Sequence, residues 1–184
     1  MEFIPIKLDS ARLVVPKVFE DKRGAFFESY SERAFADHGF EIRFVQDNHS
    51  LSKPAGVLRG MHFQLPPMAQ TKLVRVVRGA VLDVIVDLRR DSPTYGQWDG
   101  HELSAENRKM LLVPRGFAHG FCTLTTDTEF LYKVDNPYSP EHDRGFLWND
   151  PDLGIKWPVE DPTVSDKDSR HEPFSQFESP FTMS

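Results

Sequence analysis

Short strand-like runs dominate the chain, each closed by turn-forming residues. Residues 12–15 and 18–19 carry the first. The polar cluster Glu20-Asp21-Lys22-Arg23-Gly24 then turns the chain into a return strand over 25–29. One short helix is predicted through Ala34-Phe35, because Ser29-x-x-Glu32 has capping-box spacing and Gly39 suits a helix stop. Residues 42–45 are β-branched and aromatic and run as a strand into Gln46-Asp47-Asn48-His49.

The β signal is densest in the middle third. Residues 57–64 and 72–77 read as strands, and residues 73–77, Arg78-Gly79 and 80–88 together predict a hairpin. Ser104-Ala105-Glu106-Asn107 suits a capped helical turn. Residues 110–113 form a strand stopped by Pro114-Arg115-Gly116, and 121–124 and 130–134 follow as a pair. Short strands with little helix between them imply an all-β sandwich or barrel with a few short helices. From about Asn149 the texture changes: Pro151, Pro158, Pro162, Pro173 and Pro180 punctuate a polar segment that also holds Trp157, Phe174, Phe177 and Phe181. A disordered tail carries few aromatics. Residues 150–184 are therefore expected to wrap over the barrel or over a partner subunit, within a single domain spanning 1–184.

Composition narrows the function. The 184 residues suit one domain with a sizeable core, and 39% hydrophobic residues with 15 Phe describe a globular protein. A net charge of −6 provides no basic field, so nucleic acid is not an expected partner. No apolar run reaches membrane-spanning length and no signal peptide is read at the start, so no membrane partner is expected. The single cysteine, Cys122, has no internal disulfide partner, and a cytoplasmic setting is expected.

The candidate chemistry lies where basic groups enter core-type sequence, which is costly unless something compensates them. In Leu58-Arg59-Gly60-Met61-His62-Phe63-Gln64, regular alternation sets His62 and Arg59 on opposite faces, but a bulge at Gly60 would turn both toward one pocket. Lys72 shares a face with Val74 and Val76; if that face is interior, the ammonium needs an anion or a developing negative charge. A structural strand histidine and a snorkelling lysine are the other readings. Tyr132 alternates with Phe130 and Val134 and should face inward, Tyr138 is a loop aromatic, and Asp166-Lys167-Asp168 reads by default as solvated charge. Pro114-Arg115-Gly116-Phe117-Ala118-His119 resembles the second motif of the cupin superfamily, where such a histidine can bind metal. The first cupin motif here reads His62-Phe63-Gln64, with no Glu before Lys72, so no metal is expected. Signatures of nucleophile elbows, P-loops and dinucleotide folds are missing.

Taken in order, nine segments resemble the dTDP-4-dehydrorhamnose 3,5-epimerase family. They are residues 16–24, 44–50, 57–64, 72–76, Ser92-Pro93-Thr94-Tyr95-Gly96-Gln97-Trp98, Leu103-Ser104-Ala105-Glu106-Asn107, 114–121, Glu129-Phe130-Leu131-Tyr132-Lys133 and Leu147-Trp148-Asn149-Asp150. The resemblance implies a cupin-type jelly roll, a homodimer with exchanged N-terminal strands, and catalysis with neither metal nor cofactor. The implied substrate is a dTDP-sugar epimerised at carbons 3 and 5. By matching position His62 resembles the base, Asp168 the carboxylate that orients it, Lys72 the charge facing an enolate oxygen, and Tyr132 the acid. Arg23, Glu28, Gln46, Asp47, Asn48, Arg59, His119, Tyr138, Asp143 and Lys167 match substrate-binding positions. Thr71 stands where Gly is frequent and Asp143 where Glu is. The rival readings are a single-centre epimerase or ketoisomerase on the same nucleotide sugar, a metal-dependent cupin using His62 and His119, and a silent binding module.

Overall fold

Alternation of apolar side chains along antiparallel strands builds the molecule, shown in a computed structural model that describes residues 1–183. Residue 184, the end of the expected wrapping segment, lies outside the described residues. The elements run β1 (Glu2–Pro5), β2 (Arg12–Val15), β3 (Val18–Asp21), β4 (Gly24–Phe27), α1 (Glu32–Ala36), β5 (Gln46–Ser52), β6 (Leu58–Gln64) and β7 (Lys72–Arg78). They continue as β8 (Ala80–Asp87), β9 (Trp98–Ser104), β10 (Met110–Val113), β11 (Phe117–Thr123), β12 (Thr128–Val134) and β13 (Asp143–Gly145). One sheet has the order β1-β2-β10-β7-β12-β5, the other β13-β6-β11-β8-β9, and β3 pairs with β4 as a separate ribbon.

The two sheets face each other as a jelly-roll sandwich. Val74, Val76, Leu111, Val113 and Phe130 from the first meet Val81, Ile85, Leu103, Phe117 and Phe121 from the second. Each sheet also has a covered outer face. On the second, Met61, Phe63, Val84, Val86 and Ala118 lie beneath Leu153, Ile155, Trp157, Phe174, Phe177 and Phe181 of the C-terminal segment. On the first, Leu73, Met110 and Leu112 pack on Phe35 of α1, with Tyr30, Phe40 and Phe44 around it. A strand buried on both faces has no polar side to show, and this accounts for the nearly unbroken apolar reading of β8 and β10. Among the described residues no helix is long and apolar enough to cross a membrane.

Several local expectations change. Residues 73–77 and 80–88 are not a hairpin: β7 lies between β10 and β12 in the first sheet, while β8 lies between β11 and β9 in the second. Gly79, at φ +79°, is the corner between sheets, and a Cβ there would fall 2.3 Å from Thr125 Oγ1. Strands β11 and β12 are likewise in different sheets rather than paired. Ser31, not Ser29, caps α1, its Oγ accepting from Ala34 N at 3.3 Å. Residues 42–45 form no strand; Ile42 and Phe44 instead pack on the cluster around Phe35, and pairing begins at Gln46. Residues 104–107, by contrast, make the capped turn expected of them, with Ser104 Oγ accepting from Asn107 N at 2.9 Å and Ser104 O from Arg108 N at 2.9 Å.

Candidate active site

The site begins with an irregularity in β6. Its pairing with β11 sets His62 opposite His119 but Arg59 opposite Phe121, so Gly60 and Met61 together oppose Gly120 alone. This β-bulge shifts the alternation by one residue, and Arg59 and His62 both line one cavity while Met61 joins the outer core. Gly60 is required twice over. Its φ is +136°, and a Cβ would lie 2.5 Å from the Gly120 Cα.

His62 Nε2 lies 2.7 Å from Asp168 Oδ1, and Gly60 N donates to Asp168 Oδ2 at 3.2 Å. Asp168 arrives from the C-terminal segment on a short 3-10 turn, its own N–H donating to Ser165 Oγ at 3.1 Å. Burial works against the charge of Asp168. His171, His62 and the Gly60 N–H outweigh it and hold the carboxyl well below the usual carboxylate range. The dyad engages Nε2 of His62 and leaves Nδ1 as the ring nitrogen available for a basic lone pair.

Facing this dyad, the first sheet brings Lys72 on β7 and Tyr132 on β12, with Tyr132 paired to Val74 and Lys72 to Val134. Lys72 is only 8% exposed. Burial drives its ammonium down to about 8, with Asp143 and Asp83 pulling the other way. The Tyr132 phenol is raised by burial and by Asp143, so it stays protonated at neutral pH. His119, on β11, has its Nε2 2.9 Å from Asp83 Oδ2, and the carboxylate is wholly buried. His62, Lys72, His119, Tyr132, Arg59, Lys167 and Asp168 thus line a single cavity of about 500 Å³.

At its mouth Lys167 pairs with Asp143, which also accepts from the Tyr138 hydroxyl at 3.0 Å. Gln46 donates to Asn48 and accepts from Tyr138 N. Three expected binding residues lie elsewhere in this chain. Asp47 is on the outward face of β5, bonded to Lys133 at 2.9 Å. Arg23 is in the exposed β3–β4 turn, bonded to Asp21, and Glu28 is exposed just beyond β4. Asp83 and His171 were not anticipated. Asp83 is the one charged residue inside the apolar run of β8 before Asp87, and alternation with Val81 and Ile85 points it inward. His171 carries no pattern signal, because it lies in the Pro-punctuated segment. The Nε2 atoms of His62 and His119 serve different carboxylates. Among the described residues, the group whose donor atoms converge as metal ligands would is instead His62, Asp168 and His171.

Known proteins match this chain along nearly its whole length. The family model described as dTDP-4-dehydrorhamnose 3,5-epimerase matches residues 5–176. The Shigella flexneri protein of that name is 50% identical over 175 residues, covering 95% of this chain and 96% of its own. The crystal structure of the Bacillus anthracis dTDP-4-dehydrorhamnose 3,5-epimerase, with TDP and PPi bound, is 53% identical, with a TM-score of 0.92 over 94% of this chain and 98% of that one. The Legionella pneumophila dTDP-6-deoxy-D-glucose-3,5-epimerase, in complex with dTDP-4-keto-L-rhamnose, is 39% identical, with a TM-score of 0.94 over 100% and 99%. A jelly roll enclosing a histidine–carboxylate dyad, matched from end to end by carbohydrate epimerases, places the chain in the dTDP-4-dehydrorhamnose 3,5-epimerase family.

Proposed function

We infer that the chain converts dTDP-4-dehydro-6-deoxy-D-glucose to dTDP-4-dehydro-L-rhamnose by inverting ring carbons 3 and 5. Both carbons flank the keto group, so loss of either proton gives an enolate, and a proton returned to the opposite face inverts the centre. The reaction needs a base and an acid on opposite sides of the ring, and positive charge at the oxygen. One observation carries the reading: His62 stands on one sheet, Lys72 and Tyr132 stand on the facing sheet, and the cavity lies between. His62 removes the proton through Nδ1, and Asp168 fixes the ring and stabilises it once protonated. Lys72 faces the enolate oxygen, which is a use for a buried ammonium. Tyr132 returns the proton from the far side, and His119, held by Asp83, binds or polarises the sugar. No step calls on a cofactor.

Arg59 and Lys167 take the diphosphate, Gln46, Asn48 and Asp143 line the entrance, and Tyr138 stacks on thymine. The thymidine nucleotides bound in the Bacillus and Legionella structures support this assignment. Arg23, Glu28 and Asp47 act across a homodimer interface. The β3–β4 ribbon stands apart from both sheets with Phe19 55% and Phe26 70% exposed, and a two-stranded ribbon is barely stable without a partner. The 184-residue chain works as one domain, with residues 150–184 serving the site through Asp168. Its lone buried thiol fits the cytoplasm. The test is His62→Ala in a reductase-coupled epimerisation assay. A fall of at least about 100-fold is expected on loss of a general base, and undiminished turnover would leave only a sugar-nucleotide binder.

A further inference from the structure

His171 is the group beside the dyad that the proposed chemistry does not use. Its side chain is 12% exposed, and its Nε2 is buried with no hydrogen-bond partner among the described residues. The ring lies edge-on to His62, with centroids 5.6 Å apart. Its Nε2 is 3.7 Å from Asp168 Oδ1, the oxygen that also engages His62. Space for the ring is provided by a glycine: Gly145, paired with His62 across β13 and β6, would place a Cβ 2.5 Å from His171 Nε2. The Asp168 carboxylate is thus within ion-pair range of this buried imidazole nitrogen but beyond hydrogen-bond length, which calls for an explanation, and an ion held by both is one of the few available.

We propose that His62, Asp168 and His171 form an inhibitory site for a divalent transition metal of the zinc class, one that disables the catalytic base. One ligand atom from each of the three residues lies within 4.8 Å of the others. Tetrahedral zinc with bonds near 2.0–2.1 Å sets its ligand atoms about 3.4 Å apart. The His62–Asp168 contact of 2.7 Å must then open, and the His171–Asp168 separation of 3.7 Å must close slightly. Two imidazoles and one carboxylate suit zinc or its transition-metal neighbours and not magnesium, which prefers oxygen.

Coordination explains inhibition through proton placement. Zinc takes the Nε2 lone pair of His62, and the single N–H of the neutral ring, directed from Nε2 to Asp168 in the metal-free protein, moves by way of solvent to Nδ1. With that N–H on Nδ1, no basic lone pair is left for the sugar. This step rests on His62 being the base, whereas metal binding does not.

Two measurements on the wild-type protein separate those parts. Equilibrium dialysis against zinc, with 15N-detected imidazole shifts, should give one zinc per chain and move the Nε2 signals of His62 and His171 while the other five of the seven histidines stay put. The coupled assay should show inhibition by micromolar zinc, reversed by chelator and not reproduced by magnesium. His171→Asn, measured against its own zinc-free rate, should need at least about ten-fold more zinc. Unmoved His62 and His171 signals, equal inhibition by magnesium, or unchanged zinc sensitivity in His171→Asn each overturns the proposal. Zinc bound at these residues without loss of turnover also overturns it, and in that case the fault lies with His62 as the base.

Discussion

Lys72 shows what the site costs the fold. Shifting a buried ammonium from 10.5 to about 8 corresponds to roughly 3 kcal/mol of destabilisation at neutral pH. The folded state binds fewer protons than the unfolded one between those values, so the penalty is complete below about pH 8 and fades toward 10.5. Lys72→Met is therefore expected to melt higher than wild type at pH 7, with the advantage shrinking across that window, while epimerisation collapses. Equal melting temperatures at pH 7 would mean the ammonium is not desolvated. Tyr132→Phe addresses the other side of the ring. With His62 intact and the acid missing, hydrogen exchange at the sugar carbons should continue while inversion falls by about 100-fold or more. Exchange and inversion lost together would take the acid role from Tyr132. At this scale part was readable beforehand: alternation set Lys72 on the face of Val74 and Val76, which the structure makes interior, and Gly60 offered the bulge that brings Arg59 to His62. Asp168 was not readable from pattern, since a charged triplet in a Pro-punctuated segment looks solvated until something packs on it; only the family resemblance singled it out.

At the scale of elements, the C-terminal segment delivers Asp168, and Asp150 fastens it. This carboxylate is 2% exposed and accepts from Asp152 N at 2.8 Å, Leu153 N at 3.1 Å and Phe174 N at 2.7 Å. Asp150→Ala leaves three buried or half-buried N–H groups without their acceptor, at a cost of about 1–3 kcal/mol each where no water replaces it. The variant should lose thermal stability and also kcat, because Phe174 follows the turn that holds Asp168; unchanged kcat would separate the anchor from the dyad. Strand existence was largely legible, strand partnership much less. Arg78-Gly79 has the composition of a hairpin turn, yet the same residues serve where a chain leaves one sheet for the other. Local residues report that the chain bends at Gly79; only burial on both faces of β7 and β8 decides which strands lie beside them.

For the whole molecule, the proposed homodimer rests on the exposed β3–β4 ribbon and on Arg23 and Glu28 lying away from the cavity, and it implies that turnover depends on a second copy. Replacing Phe19 and Phe26 together with Ser should shift the light-scattering mass from dimer toward monomer and reduce turnover with it. A monomer with full activity would show that one chain holds a complete site. In the proposed mechanism one base and one acid serve two carbons of the same ring. The direct measurement is incubation with dTDP-4-dehydro-6-deoxy-D-glucose in heavy water, read by NMR. Deuterium at both carbon 3 and carbon 5, with both centres inverted, is the expected result. Label and inversion confined to one carbon would contradict the double epimerisation.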